Sequence, residues 1–361
     1  MPSKEAECPR IVLTGGNGFY GGHIIAALRE QYDDCRIFVL DLKSPLTPSH
    51  DVEEYFAVDI TAEEEVKKIL ALIRPHAVVH TAGITTLLHD RYSRRIEKHL
   101  RHVNIDGTKV MLAAAKEAGC EAFVFTSSCC VVTDALRGYY ANINEEYPVS
   151  TKSLMYGESK VEAERLVFAA DSAEMATCIL RPAVTFGEGE YVLVPSVHAC
   201  IAKFETPFRL GEGNNLWDTV YVGNVAYAHA LAVRNLLTTR SAHGEAFFIQ
   251  NNEPTTFREF SLAVWKEFDH YPPFELEIPA SLGMIVGMLS EAWTWLSGTA
   301  TTISRGSVLD ATAVRYASGE KARRILGYEA RVSLEDGLKR SCKEYADRLR
   351  SAAAAKETAK R

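Results

Sequence analysis

Residues 10–21 read RIVLTGGNGFYG, and this stretch decides the fold. Arg10–Thr14 is a short apolar run typical of a buried strand, and Phe19–Tyr32 continues as a helix with apolar residues on one side. Glycines at three-residue spacing fill the turn between them. They allow a tight turn, close approach of the backbone to a pyrophosphate and close packing of helix on strand, and the helix start directs free N–H groups at phosphates. The turn predicts a dinucleotide site formed by Gly15, Asn17, Gly18, Phe19, Tyr20 and Gly21.

Two acidic residues that follow predicted strands bear on the choice of cofactor. Asp41 ends the second strand, Arg36–Leu40, 20 residues beyond the last glycine. A carboxylate there binds ribose hydroxyls and repels a 2′-phosphate, so the sequence favours NAD over NADP, although Lys43 lies nearby. Asp59, which precedes Ile60, either meets the adenine amino group or serves only in a turn.

Strand and helix signals alternate along the chain. They predict an α/β fold of the Rossmann type, a doubly wound parallel sheet of about seven strands, with a smaller, discontinuous C-terminal substrate lobe. We assign residues 1–185 plus 217–252 to the NAD-binding domain and residues 186–216 plus 253–361 to the substrate-binding lobe. The remaining strands are predicted at Tyr55–Ala57, Ala77–His80, Ala122–Thr126, Thr177–Arg181 and Ala246–Gln250, and a long helix at Arg94–Ala118.

Helix caps are predicted at four polar residues, one of which is Ser333, three residues before Asp336. Thr61 and Thr256 each stand three residues before a glutamate, the spacing of a capping box, and Asn224 precedes an apolar helical run. The tail Ser351–Arg361 is expected to fray.

Composition limits the class of protein. Of 361 residues, 47% are hydrophobic and 24% are charged, which indicates an ordinary globular chain. The net charge of −7 disfavours a nucleic-acid partner. The eight cysteines include no Cys-x-x-Cys pair and no ligand cluster is visible, so no metal is expected. The polar N-terminus and the lack of a run of about 20 apolar residues predict a cytoplasmic protein.

Tyr156-x-x-x-Lys160 carries the predicted chemistry. The spacing places both side chains on one face of a helix. A free tyrosine titrates at about pH 10, but a nearby ammonium and a positively charged nicotinamide would favour the phenolate. Tyr156 is then expected to take the proton of a substrate alcohol while hydride leaves its carbon. Lys160 would also bind the nicotinamide ribose, and Ser128, at a strand end, would hold the substrate oxygen.

With these motifs the chain resembles the extended short-chain dehydrogenase/reductases. Further similar segments are His80–Gly83, Val103–Thr108 and Leu180–Pro182. The resemblance implies that Thr81 and Ala82 lie along the cofactor and that Asn104 braces the active-site backbone. It also implies that the segment from Pro182 to Val184 reaches the carboxamide.

A narrower resemblance comes from Leu210–His229 and Gly244–Pro254. Both are similar to the 3β-hydroxysteroid dehydrogenase branch, and within it to the fungal sterol-4α-carboxylate 3-dehydrogenases. This implies oxidation of the 3β-hydroxyl of a sterol-like polycyclic substrate, with loss of a neighbouring carboxylate as CO2. The expected substrate contacts are Thr85, Thr86 and Trp217.

Other functions stay open at this point. A relative acting on another terpenoid or polyketide would share these motifs. A nucleotide-sugar epimerase or dehydratase shares the core, but a dehydratase needs an acidic group beside Ser128, and Thr126–Cys130 supplies none. An NAD-binding scaffold without catalysis is the non-enzyme alternative.

Residues 281–297, SLGMIVGMLSEAWTWLS, repeat apolar side chains at helical spacing but are too short to span a bilayer. They form a lid helix over an apolar pocket, a peripheral contact with the endoplasmic reticulum membrane, or a dimer contact. The family resemblance also implies a homodimer through the helices at Arg94–Ala118 and Lys152–Ala170.

Overall fold

The computed structural model describes residues 8–86, 90–136, 139–297 and 303–358. Its strands are β1 (Arg10–Thr14), β2 (Arg36–Asp41), β3 (Glu54–Ala57), β4 (Ala77–His80), β5 (Ala122–Thr126), β6 (Tyr140–Ile143), β7 (Ala176–Pro182), β8 (Val184–Phe186), β9 (Phe208–Leu210), β10 (Leu216–Trp217), β11 (Thr219–Tyr221), β12 (Glu245–Ile249), β13 (Thr255–Thr256), β14 (Leu276–Ile278) and β15 (Arg315–Ala317). Its helices are α1 (Gly21–Gln31), α2 (Glu63–Ile73), α3 (Glu97–Arg101), α4 (Gly107–Glu117), α5 (Cys130–Thr133), α6 (Met155–Ala170), α7 (Leu193–Ala202), α8 (Val222–Leu237), α9 (Phe257–Lys266), α10 (Ala280–Ser297), α11 (Arg305–Thr312), α12 (Glu320–Leu326) and α13 (Leu334–Thr358).

The main sheet has seven strands in the order β3-β2-β1-β4-β5-β7-β12, and every pairing is parallel. The predicted α/β class and the seven strands are therefore confirmed. The strand order reverses direction beside β1, between β1 and β4. In such sheets a ligand binds outside the carboxyl ends of the strands at this reversal.

Both faces of the sheet are covered by helices because its strands are apolar on both sides. Ile11 and Leu13 pack into one hydrophobic cluster with α1 and α8. Val12, which points to the other face, packs into a second cluster with α2, α4 and α6.

The predicted helix caps are correct at two positions and wrong at two. Ser333 Oγ accepts a hydrogen bond from the backbone N–H of Asp336 at 3.2 Å, directly before α13. Thr256 forms a reciprocal capping box with Glu259. Thr61 caps nothing: its backbone N–H and hydroxyl both donate to Asp59 Oδ1, at 2.9 and 2.8 Å, and α2 begins two residues later. Asn224 lies inside α8, where its amide donates to the side chain of Asn251. A neighbouring turn residue thus takes the Thr61 hydroxyl, and a partner distant in the chain takes the Asn224 amide.

The predicted helix Arg94–Ala118 is interrupted. A π-helical turn, His102–Asp106, separates α3 from α4. Such turns are frequent at functional sites because they redirect a side chain within a helix. Here the turn carries Asn104.

Smaller elements lie around the carboxyl edge of the main sheet. Four short strands form a second sheet, β13-β10-β15-β6, and two further pairs join β8 to β11 and β9 to β14. The tail differs from prediction, since α13 continues to Thr358 through an alanine-rich stretch of high helix propensity. Among the residues described, no helix has the length and apolar character needed to cross a membrane.

Candidate active site

A cavity of about 1830 Å³ opens at the carboxyl ends of the parallel strands. It brings together most residues singled out in the sequence: Gly15, Asn17, Gly18, Phe19, Tyr20, Asp41, Asp59, Ile60, Thr81, Ala82, Thr85, Thr86, Ser128, Tyr156, Lys160, Pro182, Val184 and Trp217. Gly21 and Asn104 do not line the cavity and contribute from behind its wall.

The glycine turn forms a cradle that side chains would fill. Gly15 has a left-handed backbone with φ of 73°, and a Cβ there would lie 3.0 Å from the backbone of Ala82. A Cβ on Gly21 would collide with the backbone of Gly16, which explains the close passage of α1 over the turn. The turn therefore presents bare backbone at the start of a helix, which suits a pyrophosphate.

Asp41 lies beside this turn at the end of β2. Its Oδ2 accepts a hydrogen bond from the backbone N–H of Asn17 at 2.9 Å, and its Oδ1 accepts one from Leu42 at 2.7 Å. The carboxylate is thus fixed at the cavity wall where a ribose hydroxyl would need an acceptor. Asp59 also lines the cavity, but its carboxylate is engaged in the turn with Thr61. The cradle and the fixed carboxylate together fit an NAD molecule.

Lys160 is buried on α6, with 5% of its surface exposed. Its Nζ donates to the carbonyl oxygen of Thr126 at 2.9 Å and lies 4.9 Å from the ring centroid of Phe125. The centroid of the Tyr156 ring is 6.0 Å away. Burial lowers the pKa of Lys160 to about 8.

The surroundings of Tyr156 in the chain alone disfavour its phenolate. Burial raises the pKa of Tyr156 well above its usual value, and Cys130, Tyr20 and Asp134 raise it further. The ammonium of Lys160 bonds to the Thr126 carbonyl rather than to the phenol, and ionisation of Tyr156 with an oxidised cofactor bound stays a prediction. A phenolate at this position needs additional positive charge in the cavity.

Ser128 follows β5 and faces the same cavity. Its Oγ accepts a hydrogen bond from the backbone N–H of Cys130 at 3.2 Å, which leaves the hydroxyl proton free to be donated. A hydroxyl donor, a phenol and an ammonium thus share one cavity.

Asn104 connects three parts of this site. Its Oδ1 accepts from Ile84 N at 2.7 Å, and its Nδ2 donates to Ile84 O at 2.9 Å and to Ser159 Oγ at 3.1 Å. The π-helical turn, the segment after β4 and α6 are therefore held together. This arrangement agrees with the bracing role that the resemblance implied.

Two buried acids that support α6 were missed in the sequence. Glu164 receives two hydrogen bonds from Arg181, at 2.9 and 2.8 Å, and one from Ser127 at 2.6 Å. Its charge opposes the effect of burial on the pKa of Lys160, one turn earlier. Asp134 accepts from the backbone N–H of Gly157 at 3.2 Å. The spacing of Glu164 from Lys160 was a usable signal, whereas nothing in the sequence marks Asp134.

The helix α10 does not bury its apolar stripe. Its buried residues are Gly283 and Gly287, while Ile285 and Leu289 are more than half exposed. Glu291 and Thr294 line the cavity. The helix thus borders the cavity with polar residues, and its exposed apolar stripe does not form the lid over the pocket that was one of the three alternatives for this segment.

The fold and site define an oxidoreductase of the Rossmann type that uses a dinucleotide. The profile of the 3-beta hydroxysteroid dehydrogenase/isomerase family matches residues 12–280. A decarboxylating sterol-4-alpha-carboxylate 3-dehydrogenase of Schizosaccharomyces pombe is 33% identical over 336 residues, covering 91% of this chain and 96% of the relative. A decarboxylating sterol-4-alpha-carboxylate 3-dehydrogenase of Saccharomyces cerevisiae is 30% identical, covering 92% of this chain and 96% of the relative. The chain belongs to the 3-beta hydroxysteroid dehydrogenase/isomerase family.

Solved structures agree on the fold. A UDP-glucose 4-epimerase from Thermotoga maritima has a TM-score of 0.71 at 24% identity and covers 94% of this chain and 99% of its own. The Thermus thermophilus UDP-glucose 4-epimerase, in complex with NAD, has a TM-score of 0.68 at 21% identity. The match covers 93% of this chain and 99% of the epimerase. At these identities the likeness establishes the fold and not the substrate.

Proposed function

We propose that this protein oxidises the 3β-hydroxyl of a sterol-like polycyclic alcohol that carries a carboxylate on the neighbouring carbon, and that the product loses CO2. The observation that carries the proposal is the single cavity that joins Ser128, Tyr156 and Lys160 to a predominantly apolar wall. That wall includes Ile84, Ile143, Leu193, Leu210, Trp217 and Phe257. The names of the fungal relatives, which are decarboxylating dehydrogenases, support the same chemistry.

The cofactor would lie against the cradle of Gly15 and Gly18, with its adenosine ribose at Asp41. When bound, NAD+ would accept the hydride that leaves the carbinol carbon. The Lys160 ammonium, added to the positive charge that an oxidised nicotinamide would bring, would favour ionisation of the Tyr156 phenol.

Tyr156 Oη takes the proton of the substrate hydroxyl, while Ser128 Oγ donates a hydrogen bond to the same oxygen. The resulting β-keto acid loses its carboxylate as CO2, and the electron pair of the broken C–C bond forms an enolate. Ser128 and the protonated Tyr156 stabilise the enolate oxygen, and the proton taken from the alcohol returns to carbon. The sequence of steps is balanced without a metal ion.

The test uses the purified protein with 3β-hydroxysterols, with and without a 4α-carboxylate, and records NADH and CO2. Tyr156→Phe is expected to abolish turnover, because phenylalanine has no oxygen to take the proton of the substrate hydroxyl. NAD+ affinity should stay within severalfold of the wild type. A variant that keeps near-full activity would exclude Tyr156 as the base, and turnover of UDP-glucose in place of sterols would favour an epimerase.

We further propose that α10 contacts the surface of a membrane, which would place the protein peripherally on the cytoplasmic side of the endoplasmic reticulum. The exposed stripe of α10 ends in Trp293 and Trp295, which are 60% and 84% exposed, and tryptophan is favoured at lipid headgroups. The same helix borders the cavity, so a lipophilic substrate would have a short path from the bilayer. A homodimer through α4 and α6 stays a prediction, to be measured by light scattering.

A further inference from the structure

Two adjacent cysteines lie in the cavity beside the reacting groups. Cys129 and Cys130 follow Ser128 directly, and all three residues line the cavity. Both cysteines are free and partly exposed. The chain contains no other pair of adjacent cysteines, and the proposed mechanism gives this pair no part. The two side chains together are named here the dithiol.

The backbone of this pair is already engaged in hydrogen bonds. The N–H of Cys129 donates to Pro182 O at 2.9 Å, and the N–H of Cys130 donates to Ser128 Oγ at 3.2 Å. The carbonyl oxygens of both cysteines accept backbone N–H groups from the turn that follows, at 3.0–3.2 Å. What the pair offers to a ligand is therefore its two sulfur atoms.

The two sulfur atoms lie close enough to interact. Contact between the thiols is the main cause that lowers the pKa of Cys129 and the main cause that raises the pKa of Cys130. One sulfur is thus favoured as the thiolate, which is the form that attacks an electrophile. The second sulfur is then in place to form another bond to the same atom.

A direct disulfide does not suit this pair. Adjacent Cα atoms are about 3.8 Å apart across a trans peptide bond, whereas disulfides usually join Cα atoms about 4.4–6.8 Å apart. The backbone of Cys129 is right-handed helical, with φ of −57° and ψ of −21°, and leads directly into α5. An S–S bond would have to distort this helix start, but one atom inserted between the sulfurs spans a wider gap.

The other six cysteines do not offer two thiols at one place in the cavity. Four of them are buried: Cys35, Cys120, Cys178 and Cys342. Cys8 is partly exposed but does not line the cavity, and Cys200 lines the cavity as a single thiol on α7. The dithiol is therefore distinguished by its position and not by the reactivity of one sulfur.

The dithiol is also in contact with the start of α6. A Cβ on Gly157, the residue after Tyr156, would lie 2.6 Å from the carbonyl oxygen of Cys130. Ser128 Oγ is bonded to the same cysteine on its other side. A bulky group bonded to both sulfurs would therefore take up space where a substrate oxygen would meet Ser128 and Tyr156.

We propose that the dithiol is a covalent binding site for trivalent arsenicals, in which one arsenic atom bridges Cys129 and Cys130. An arsenic oxide, R–As=O, reacts with both thiols: two As–S bonds form, the arsenic–oxygen bond breaks, and the oxygen leaves as water with the two thiol protons. Arsenic stays trivalent, so the step needs no oxidant or reductant. Binding is independent of the sterol chemistry, whereas the expected block of turnover rests on the proposed function.

The binding test uses the purified protein with phenylarsine oxide and measures the adduct by intact-protein mass spectrometry. The wild type should bind one equivalent at the dithiol. The dithiol reagent 2,3-dimercaptopropanol should release it, whereas a monothiol at the same sulfur concentration should not. Cys129→Ser and Cys130→Ser should each weaken binding about 100- to 10,000-fold, because the second As–S bond is intramolecular in the wild type.

Cys200→Ser is the matched control, since it removes a single thiol from the same cavity, and it should bind the arsenical like the wild type. Release by the monothiol, or an adduct of unchanged affinity in Cys129→Ser and Cys130→Ser, would overturn the dithiol as the site.

The activity test adds NAD+ and a 3β-hydroxysterol to the modified protein. The arsenical should abolish turnover in the wild type and in Cys200→Ser, and 2,3-dimercaptopropanol should restore it. Turnover that persists with the adduct in place would overturn the block of the cavity. A wild type that binds the arsenical but oxidises no sterol even before modification would overturn the proposed function and leave the binding site intact.

Discussion

At the scale of a single residue, the buried carboxyl of Asp218 lowers the stability of the folded protein. Its side chain is 4% exposed beside the cavity, and burial together with Glu253 raises its pKa to about 8. Because the unfolded chain ionises this group near pH 4, the folded state binds an extra proton between about pH 4 and 8. Stability is therefore lost as the pH rises through that window.

Asp218→Asn removes the group that causes this pH-dependent loss of stability. The variant is expected to match the wild type in free energy of unfolding near pH 4 and to exceed it increasingly towards pH 8. Chemical denaturation at several pH values measures the difference. The exposed Asp33→Asn is the control and should show no such trend; a flat difference for Asp218→Asn would mean that the carboxylate is solvated or paired.

Tyr156 and Lys160 show the limit of reading a motif from spacing. Their positions on one helix face and in one cavity followed from the sequence. Their protonation did not, because it depends on burial by residues far away in the chain and on the Thr126 carbonyl. Spacing reports which groups can meet, and only the surroundings set their charge.

At the scale of the element, α6 is held by one buried ion pair. Glu164 and Arg181 are 3% and 4% exposed and join α6 to β7 directly behind Ser127. Removing one partner leaves the other charge buried without compensation, and typically costs about 3–5 kcal/mol.

Glu164→Gln is expected to lower the free energy of unfolding by about 3–5 kcal/mol for that reason. The measurement is equilibrium denaturation with urea. Glu320→Gln breaks an arginine pair of similar geometry on the exposed face of α12 and should change stability little. Similar small effects in both variants would show that α6 is held by its packing alone.

Elements that depend on local sequence were predicted well. The bounds of β1, β4 and β5 agree with the predicted residues, because continuous apolar runs between turns leave little choice. The π-helical turn and the unused cap at Thr61 were missed, since both depend on partners outside their own helix. The same holds for α10, which packs its glycines rather than its apolar side chains against the rest of the protein.

At the scale of the whole molecule, the exposed stripe of α10 predicts binding to lipid. In flotation with phosphatidylcholine vesicles, the wild type should rise with the lipid, because the stripe can be buried in the headgroup layer. Ile285→Ser combined with Leu289→Ser should remain in the dense fraction.

Leu46→Ser combined with Leu72→Ser is the control, since both leucines are exposed elsewhere on the surface. This variant should float like the wild type. Flotation of the α10 variant, or sedimentation of the wild type, would argue against membrane contact and leave the stripe for another role.

The sequence by itself determined the parallel sheet, the dinucleotide turn and the Tyr156–Lys160 pair, because these depend on residues close together in the chain. Only the tertiary structure decided which charges face one another. Arg91, Asp134, Asp310 and Arg315 are up to 224 positions apart and meet only when the second sheet packs beside α6. Ion pairs depend on distances in space, so the meeting of these four side chains has no signature along the chain.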